Sequence, residues 1–434
     1  MNRSRTIYKN ATVYRTDKKE LGRFDVAVRD GKIEAVEAVI EPMEPEEQVI
    51  DLSGLTLLPG LVDVHVHMRE PGFSEKETYA TGTAAAAHGG FTAICPMPNL
   101  NPAPDSSETL AVQERMIEEQ AVVKVYPIGC ITMGQKGGGT LVDFAGIEAR
   151  VAGFSDDGRG VQEDALMEEA MRRCAVVNRP IVAHCEVEEL IKGGYIHDGE
   201  YCKVHGHKGI CSESEWLQVK RDIEYSERTG CQYHVCHVST KESVELIRQA
   251  KAKGLRVSGE TAPHYLLLTD VEIEEDGRFK MNPPIRSKED QEALFKGVMD
   301  GTLECIATDH APHTAEEKSR GLAGSNMGIV GLETAFPLMY KYFVVAGKMS
   351  LEHLMDLMAN NPRRLFRIDG GTAVGDSADF VVMDLDAKYK VDPETFLSKG
   401  RATPFTGWDV QGKTMLTVVS GKHVYVDNKM SERL

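Results

Sequence analysis

The sequence predicts an α/β protein, a (β/α)8 barrel in the middle of the chain with a small composite β-sandwich domain formed by both termini. Between Pro59 and about Phe366, short apolar runs alternate with longer helix-like segments, which is typical of parallel βα units. Both ends of the chain consist instead of short strand-like stretches and turns. Polar residues collect at the C-terminal ends of the central strands, which is the face where barrel proteins build their sites.

The β-rich ends predict a domain that is interrupted by the barrel. The chain starts with stretches such as TIYKNATVY and closes with KTMLTVVSGKHVYV. We expect residues 1–58 and 369–434 to form one β domain, with the barrel of residues 59–368 inserted between them. Two unrelated β appendages are the alternative, and a chain of 434 residues is long enough for either arrangement.

Eight candidate strands occupy the middle of the chain. They are LVDVHVH (61–67), GFTAICP (90–96), VVKVYPI (122–128), VAGFSDD (151–157), PIVAHCE (180–186), CQYHVCH (231–237), LRVSGET (255–261) and ECIATDH (304–310). Eight such units in about 300 residues fit a closed barrel. An open doubly wound sheet is the alternative, but no Gly-rich dinucleotide fingerprint follows any of these strands. The Gly-rich stretch GQKGGGT (134–140) lacks the Lys-Ser or Lys-Thr helix start of a phosphate loop, so we interpret it as a flexible loop.

Composition and charge exclude several classes of partner. The net charge of −17 argues against nucleic-acid binding, which depends on Lys and Arg neutralising phosphates. No run of basic residues and no stretch of roughly 20 apolar residues suggests a membrane. The start, MNRSRTIYKNATVY, lacks an apolar signal core, and the nine cysteines follow no regular spacing. We therefore expect a cytoplasmic protein with reduced thiols.

Six ionisable residues at the strand ends predict a metal site. His65 and His67 are two positions apart at the end of the first strand, so both side chains point to the same side. The ends of later strands carry Asp157, His184, His237 and Asp309. Buried ionisable groups are unfavourable unless they are paired or bound to metal, and six together are hard to explain by packing alone. Imidazoles and carboxylates suit a divalent ion such as Zn2+.

Other histidines and cysteines have plainer interpretations. His205 and His207 form a second His-x-His pair, but they lie in the loop-like stretch KVHGHKG. His264 follows the seventh strand and is either a supporting residue of the site or a structural histidine. His234 and Cys236 share a face opposite His237, and without a second cysteine pair they do not predict a zinc knuckle.

Several long motifs resemble the dihydroorotases of the amidohydrolase superfamily, specifically the bacterial single-function type. They are GLVDVHVHMREPG (60–72), MPN (97–99), HVCHVSTKES (234–243), KMNPPIR (280–286), IATDHAPHT (306–314), GIVGLETAFPL and TPFTGWDVQGK. The resemblance covers nearly the whole chain. It implies a barrel with a composite β domain, two divalent ions per subunit, expected to be zinc, and reversible cyclisation of N-carbamoyl-L-aspartate to L-dihydroorotate in pyrimidine synthesis.

The resemblance also implies a metal ligand set, which matches His65, His67, His184, His237 and Asp309. Many relatives bridge the two metals with a carboxylated lysine on the fourth strand, but GFSDDGRG contains no lysine. The subgroup that this chain resembles bridges with an aspartate, whose position matches Asp157. Asp156 is the alternative, and strand alternation puts its side chain on the opposite side.

The implied mechanism starts with a metal-bridging hydroxide that attacks the ring amide carbonyl. Asp309 is the expected general base, which passes the proton to the leaving amide nitrogen. The expected substrate contacts are His67, Arg69, Asn99, Asn282, His313, Met327 and Gly328. The guanidinium of Arg69 suits the free carboxylate of the substrate, with a surface ion pair to Glu70 as the alternative. Residues 311–328 are polar and contain glycines, so they form either a lid or an ordinary loop.

Two rival functions follow from the same pattern. One is another cyclic amidase, such as an allantoinase or a dihydropyrimidinase, but Arg69 and the missing lysine argue against it. The other is a non-catalytic barrel that serves as a scaffold for aspartate transcarbamoylase, although such a protein is expected to have lost metal ligands. A homodimer is expected from the resemblance, and an active enzyme could also associate with aspartate transcarbamoylase.

Overall fold

The computed structural model describes residues 5–434, so the first four residues of the predicted N-terminal segment 1–58 lie outside the described part. The strands are β1 Thr6–Arg15, β2 Glu20–Arg29, β3 Lys32–Glu37, β4 Gln48–Asp51, β5 Thr56–Pro59, β6 Leu61–Val66, β7 Phe91–Pro96, β8 Lys124–Val125, β9 Ile128–Cys130, β10 Gly153–Ser155, β11 Ile181–Ala183, β12 Ile196–His197, β13 Gly209–Ile210, β14 Tyr233–Val235, β15 Val257–Thr261, β16 Cys305–Ile306, β17 Phe380–Lys390, β18 Asp409–Val419 and β19 Lys422–Val426.

The helices connect most of these strands. They are α1 Tyr79–His88, α2 Ser107–Gln120, α3 Phe144–Ile147, α4 Asp164–Val177, α5 Glu188–Ile191, α6 Glu200–His205, α7 Glu213–Thr229, α8 Lys241–Ala252, α9 Pro263–Leu267, α10 Lys288–Met299, α11 Ala315–Lys318, α12 Gly321–Gly324, α13 Ala335–Met339, α14 Leu351–Met355, α15 Asn361–Phe366 and α16 Asn428–Ser431. Short 3-10 turns cover Glu148–Arg150, Asp270–Glu272, Gly277–Phe279 and Pro393–Thr395, and π-helical turns cover Tyr340–Val345 and Asp356–Asn360. In the described part, no helix is long and apolar enough to cross a membrane.

Both ends of the chain build one eight-stranded sheet. Its order is β19-β18-β17-β5-β1-β2-β3, and β4 pairs with β1. The contact between the two ends is the antiparallel pair β5 and β17, in which Leu58 lies opposite Val381. The apolar face of this sheet is fully buried at Tyr8, Leu57 and Phe380, among others. Strands from both ends of the chain therefore belong to one sheet.

The central strands are parallel and follow one another around the molecule. β6, β7 and β8 pair in one run, and β9, β10, β11, β14, β15 and β16 pair in another. The backbone N–H of His67 donates to the carbonyl of His310 at 2.8 Å, so hydrogen bonding returns from the last strand to the first. All eight predicted strands are present. The third is split into β8 and β9 on either side of Pro127, which has no N–H to donate.

The helix starts follow ordinary capping chemistry. Thr78 before α1, Ser106 before α2 and Ser287 before α10 each accept a hydrogen bond from the third residue of the helix. Between the strands and the outer helices, large side chains such as Phe154, Tyr233 and Tyr265 are almost wholly buried. This packing fixes the carboxyl ends of the parallel strands, where the polar residues lie.

Candidate active site

The carboxyl ends of the parallel strands bring all six predicted ligand residues together. His65 lies in β6 and His67 just after it, while the others follow β10, β11, β14 and β16 within three residues; these are Asp157, His184, His237 and Asp309. None of the six is more than 7% exposed. The site is therefore a buried cluster of ionisable groups.

Asp157 lies at the centre of the four histidines. Its Oδ1 is 3.4 Å from His65 Nε2 and 3.5 Å from both His184 Nδ1 and His237 Nε2. Its Oδ2 is 3.6 Å from His67 Nε2. These separations are longer than a good hydrogen bond. Two ligand atoms bound to one zinc ion at tetrahedral angles lie about 3.3 Å apart, so the spacing fits a shared cation.

Asp309 completes the other side of the cluster. Its Oδ1 is 3.0 Å from His67 Nε2 and 3.5 Å from His65 Nε2. Two groups of three residues in this cluster could each hold a metal ion, namely His65 with His67 and Asp309, and His65 with Asp157 and His237. Burial alone would raise the pKa of Asp309, but His65 and His67 lower it, so the carboxylate is ionised at neutral pH.

Three buried polar atoms of the cluster lack any hydrogen-bond partner in the described part of the chain. One is His184 Nε2, and the other two are His65 Nε2 and Asp157 Oδ1, which face each other. An unpaired polar atom in a buried site is destabilising. A divalent cation between them would satisfy both atoms, since neutral imidazole nitrogen and carboxylate oxygen are zinc ligands. The residues present therefore fit a metal centre.

The structure places Asp157, and not Asp156, among the histidines. The carboxylate of Asp156 points the other way and accepts hydrogen bonds from the backbone N–H groups of Ile131 at 2.8 Å, Thr132 at 3.1 Å and Gly137 at 3.1 Å. The glycine-rich stretch 134–140 thus contacts Asp156 through Gly137. Strand alternation separates the two aspartates as predicted.

Sequence reasoning missed Glu260 in β15. Its Oε1 is 2.6 Å from His65 Nδ1 and its Oε2 is 3.0 Å from His234 Nε2. Burial alone would raise the pKa of Glu260, but these histidines hold it well below its usual range. Glu260 thereby fixes the ring of His65 with Nε2 directed at Asp157. A signal was present in the sequence, because an acidic residue in a fully buried strand needs a partner.

The predicted substrate contacts line a cavity of about 230 Å3 beside the cluster. Its lining includes His67, Arg69, Asn99, Asn282, His313, Met327 and Gly328. The Arg69 guanidinium donates from Nε to the Pro312 carbonyl at 3.1 Å, and its Nη2 is 3.3 Å from His313 Nε2. Glu70 instead accepts from the Tyr79 N–H at 3.0 Å, so the surface ion pair between Arg69 and Glu70 is wrong.

Further contacts hold these groups in place. Asn99 Oδ1 is 2.9 Å from His67 Nδ1, and Asn282 Nδ2 donates to Glu186 Oε1 at 2.7 Å. His313 Nε2 donates to the Met327 carbonyl at 2.8 Å. Burial and the neighbouring Arg69 lower the pKa of His313 to about 3, so its imidazole is neutral. Besides the carboxylates of Asp157 and Asp309, which belong to the proposed metal cluster, the cavity therefore presents one guanidinium and several uncharged polar groups, which suits an anionic polar ligand.

Two other histidines that the sequence singles out lie outside the cavity. His207 Nδ1 is 2.9 Å from the Tyr195 hydroxyl and its Nε2 is 3.0 Å from Glu275, away from the cavity. His264 is buried against Tyr265, and burial lowers its pKa to about 4. Neither residue lines the cavity.

Comparison with known proteins identifies the family of the chain. Residues 54–243 match the family described as dihydro-orotase-like. A dihydroorotase of Anoxybacillus flavithermus is 49% identical over 97% of this chain and 98% of its own length, and one of Shouchella clausii is 50% identical over 94% and 95%. An L-hydantoinase from Arthrobacter aurescens has a similar structure, with a TM-score of 0.86, 28% identity and coverage of 97% of this chain and 96% of its own. Identity of this level over nearly the full length shows that the chain belongs to the dihydroorotase family.

Proposed function

We propose that this chain is a zinc-dependent dihydroorotase that interconverts N-carbamoyl-L-aspartate and L-dihydroorotate in pyrimidine synthesis. The observation that carries the proposal is the buried cluster of four histidines and two aspartates, in which His65 Nε2 and Asp157 Oδ1 have no partner within the described residues. The relatives that are named dihydroorotase cover both ends of the chain as well as its middle.

The proposed architecture is a closed (β/α)8 barrel of residues 59–368 with a composite β-sandwich domain of residues 1–58 and 369–434. The parallel order of the central strands and the joint terminal sheet support it. The likeness to hydantoinase structures also supports it.

Two divalent ions, expected to be zinc, would be held by this cluster. His65, His67 and Asp309 would bind one ion, His184 and His237 the other, and Asp157 both. When bound, such ions lower the pKa of a water molecule and polarise a carbonyl oxygen. With an aspartate as the bridging residue, assembly of the site needs no carbon dioxide.

Asp309 would then transfer the proton during the reaction. The Asp309 carboxylate would accept a proton from the attacking water and deliver it to the amide nitrogen that leaves the ring carbonyl. In the synthetic direction, the same carboxylate would take the proton from the carbamoyl nitrogen as the ring closes. The low pKa of Asp309 keeps it ionised and ready to accept.

Arg69, Asn99 and His313 would hold the free carboxylate of the substrate. The guanidinium of Arg69 would supply the positive charge, and the ring of His313, which its contacts hold in one orientation, would position the carboxylate. Asn282 and the backbone of Met327 and Gly328 would contact the ring. A cavity of about 230 Å3 leaves room for one small molecule only.

The testing experiment is release of N-carbamoyl-L-aspartate from L-dihydroorotate by the purified protein. Activity should disappear on chelation, return with zinc and fall by about a hundredfold or more in Asp309→Asn, the contribution expected of a general base. Failure of fully metallated wild-type protein to turn over dihydroorotate would refute the assignment.

A hydantoinase-like activity is the second candidate, favoured by the similarity to L-hydantoinase. Hydantoin carries no carboxylate for Arg69, so we expect little turnover of it. Hydantoin turnover that exceeds dihydroorotate turnover would select this candidate instead. A homodimer, association with aspartate transcarbamoylase and a cytoplasmic location are further proposals, which light scattering, co-purification and cell fractionation would test.

A further inference from the structure

Residues 311–328, here called the capping segment, form part of the cavity wall and are hydrogen-bonded to the stretch that contains Lys280. The segment contains α11 and α12, and Leu322 of α12 is fully buried. Its last residues, Met327 and Gly328, line the cavity. The stretch beneath it runs from Glu275 to Asn282, and Asn282 also lines the cavity. The relative position of these two stretches therefore sets one wall of the site.

Two buried lysines hold the two stretches together. Lys318 Nζ, at the end of α11, donates to the carbonyl of Lys280 at 3.0 Å and to the carbonyl of Asn326 at 2.7 Å. Lys280 Nζ donates in return to the carbonyl of Ala323 at 3.1 Å. The two lysines are only 7% and 5% exposed. We call this arrangement the lysine clasp.

The Lys280 carbonyl is shared between the clasp and the wall of the cavity. It accepts from Lys318 Nζ and also from the backbone N–H of Gly328 at 3.0 Å. Asn326, the other acceptor of Lys318, immediately precedes Met327. Lys318 thus binds the residue that precedes Met327 and the carbonyl to which Gly328 is hydrogen-bonded.

The contact also depends on close backbone approach. A Cβ atom on Gly277 would lie 2.3 Å from the Lys318 carbonyl oxygen and 2.4 Å from Ser325 Oγ. Real Cβ contacts are not that short, so any larger residue at Gly277 would push the capping segment away. The chain therefore provides both the space and the donors for this contact.

A buried amine without an acidic partner is unfavourable, so its presence needs a reason. Within the described residues, neither Lys318 nor Lys280 forms an ion pair, and both amines bond to main-chain carbonyls. Burial, reinforced by Lys280, lowers the pKa of Lys318 to about 7. An amine in either protonation state can donate two hydrogen bonds, so the clasp persists around neutral pH.

We propose that Lys318 is a positioning residue for substrate binding, which fixes the wall formed by Asn282, Met327 and Gly328 through the lysine clasp. The inference rests on the proposed function, because that function assigns these residues to the substrate ring. Lys318 does not line the cavity, so it acts through the carbonyls of Lys280 and Asn326.

The test compares Lys318→Met with Lys288→Met, an exposed lysine at the start of α10 that serves as the matched control. In Lys318→Met, we expect faster hydrogen–deuterium exchange of the backbone amides in peptides from residues 311–328. We also expect the KM for L-dihydroorotate to rise about tenfold, which corresponds to the loss of one buried hydrogen bond. We expect kcat to stay within about twofold and the metal content to be unchanged, because the cavity wall held by the clasp contributes only to substrate binding. The control should change neither exchange nor KM.

Unchanged exchange in Lys318→Met would overturn the clasp, and faster exchange with an unchanged KM would overturn its role in substrate binding. Lys280→Met removes one hydrogen bond of the clasp and the contact of the amine with the Tyr195 ring. It should show a smaller change in the same direction, so it replaces Lys318→Met if that variant does not fold. If wild-type protein does not turn over dihydroorotate, the proposed function fails, while the exchange experiment still decides the clasp.

Discussion

Replacing Glu260 by glutamine should weaken metal binding without touching any proposed metal ligand. The Glu260 carboxylate accepts from His65 Nδ1 at 2.6 Å and from His234 Nε2 at 3.0 Å, in surroundings from which water is excluded. A glutamine side chain has one oxygen, so it can keep only one of the two contacts and presents N–H2 to the other histidine.

The magnitude follows from that single lost contact. A hydrogen bond to a charged group contributes about 1.5–3 kcal/mol, and loss of a carboxylate behind a metal-binding histidine lowers metal affinity about 10- to 100-fold. We therefore expect the zinc affinity of Glu260→Gln to fall within that range. The measurement is competition with a chromophoric chelator, together with thermal unfolding of the metal-free protein.

Glu215→Gln is the matched control for this prediction. Glu215 is an equally buried carboxylate that accepts from the N–H groups of Ser239 and Thr240 at 3.1 Å and from the Ser243 hydroxyl at 2.8 Å. This variant should lose stability but keep its zinc affinity. If both variants bind zinc as wild type does, Glu260 is an ordinary core residue and the reasoning about His65 fails.

Three further predictions concern substrate, pH and packing. Arg69→Gln should raise the KM for L-dihydroorotate about 10- to 100-fold in steady-state assays, because the carboxylate of the bound substrate loses its charged partner. An unchanged KM would contradict this. Burial alone would raise the pKa of Glu317, but hydrogen bonding by Lys76 lowers it to about 2, so its stabilisation is complete above about pH 4.5 and is lost as the pH falls towards 2. Acid unfolding of Glu317→Gln should accordingly be less steep over that range, and an identical pH profile would count against the pair. Phe154→Ala should reduce the free energy of unfolding by about 3–5 kcal/mol in denaturant titrations, whereas Val176→Ala, 83% exposed, should have little effect.

The sequence was sufficient for the central strands because their signal is local. Each strand is a short apolar run such as PIVAHCE, and five of the eight carry a candidate metal ligand at or near their ends. The capping segment was harder, because α11 and α12 are too short to leave a helical pattern in the sequence. The two-stranded ribbon of β12 and β13 was missed for the same reason, since each strand has only two residues.

The residues that support the site could not be found in this way, since their partners are remote in sequence. Glu260 is 195 residues from His65, and Lys318 is 38 residues from Lys280. Strand order would have linked Glu260 to His234, because β15 lies beside β14 and pairs His234 with Ser258, two residues before Glu260. A charged residue inside an apolar strand therefore becomes interpretable only once its neighbouring strands are known. The strand-end histidines predict a metal site from the sequence alone, whereas the carboxylate that orients His65 is identified only by its neighbours in the three-dimensional structure.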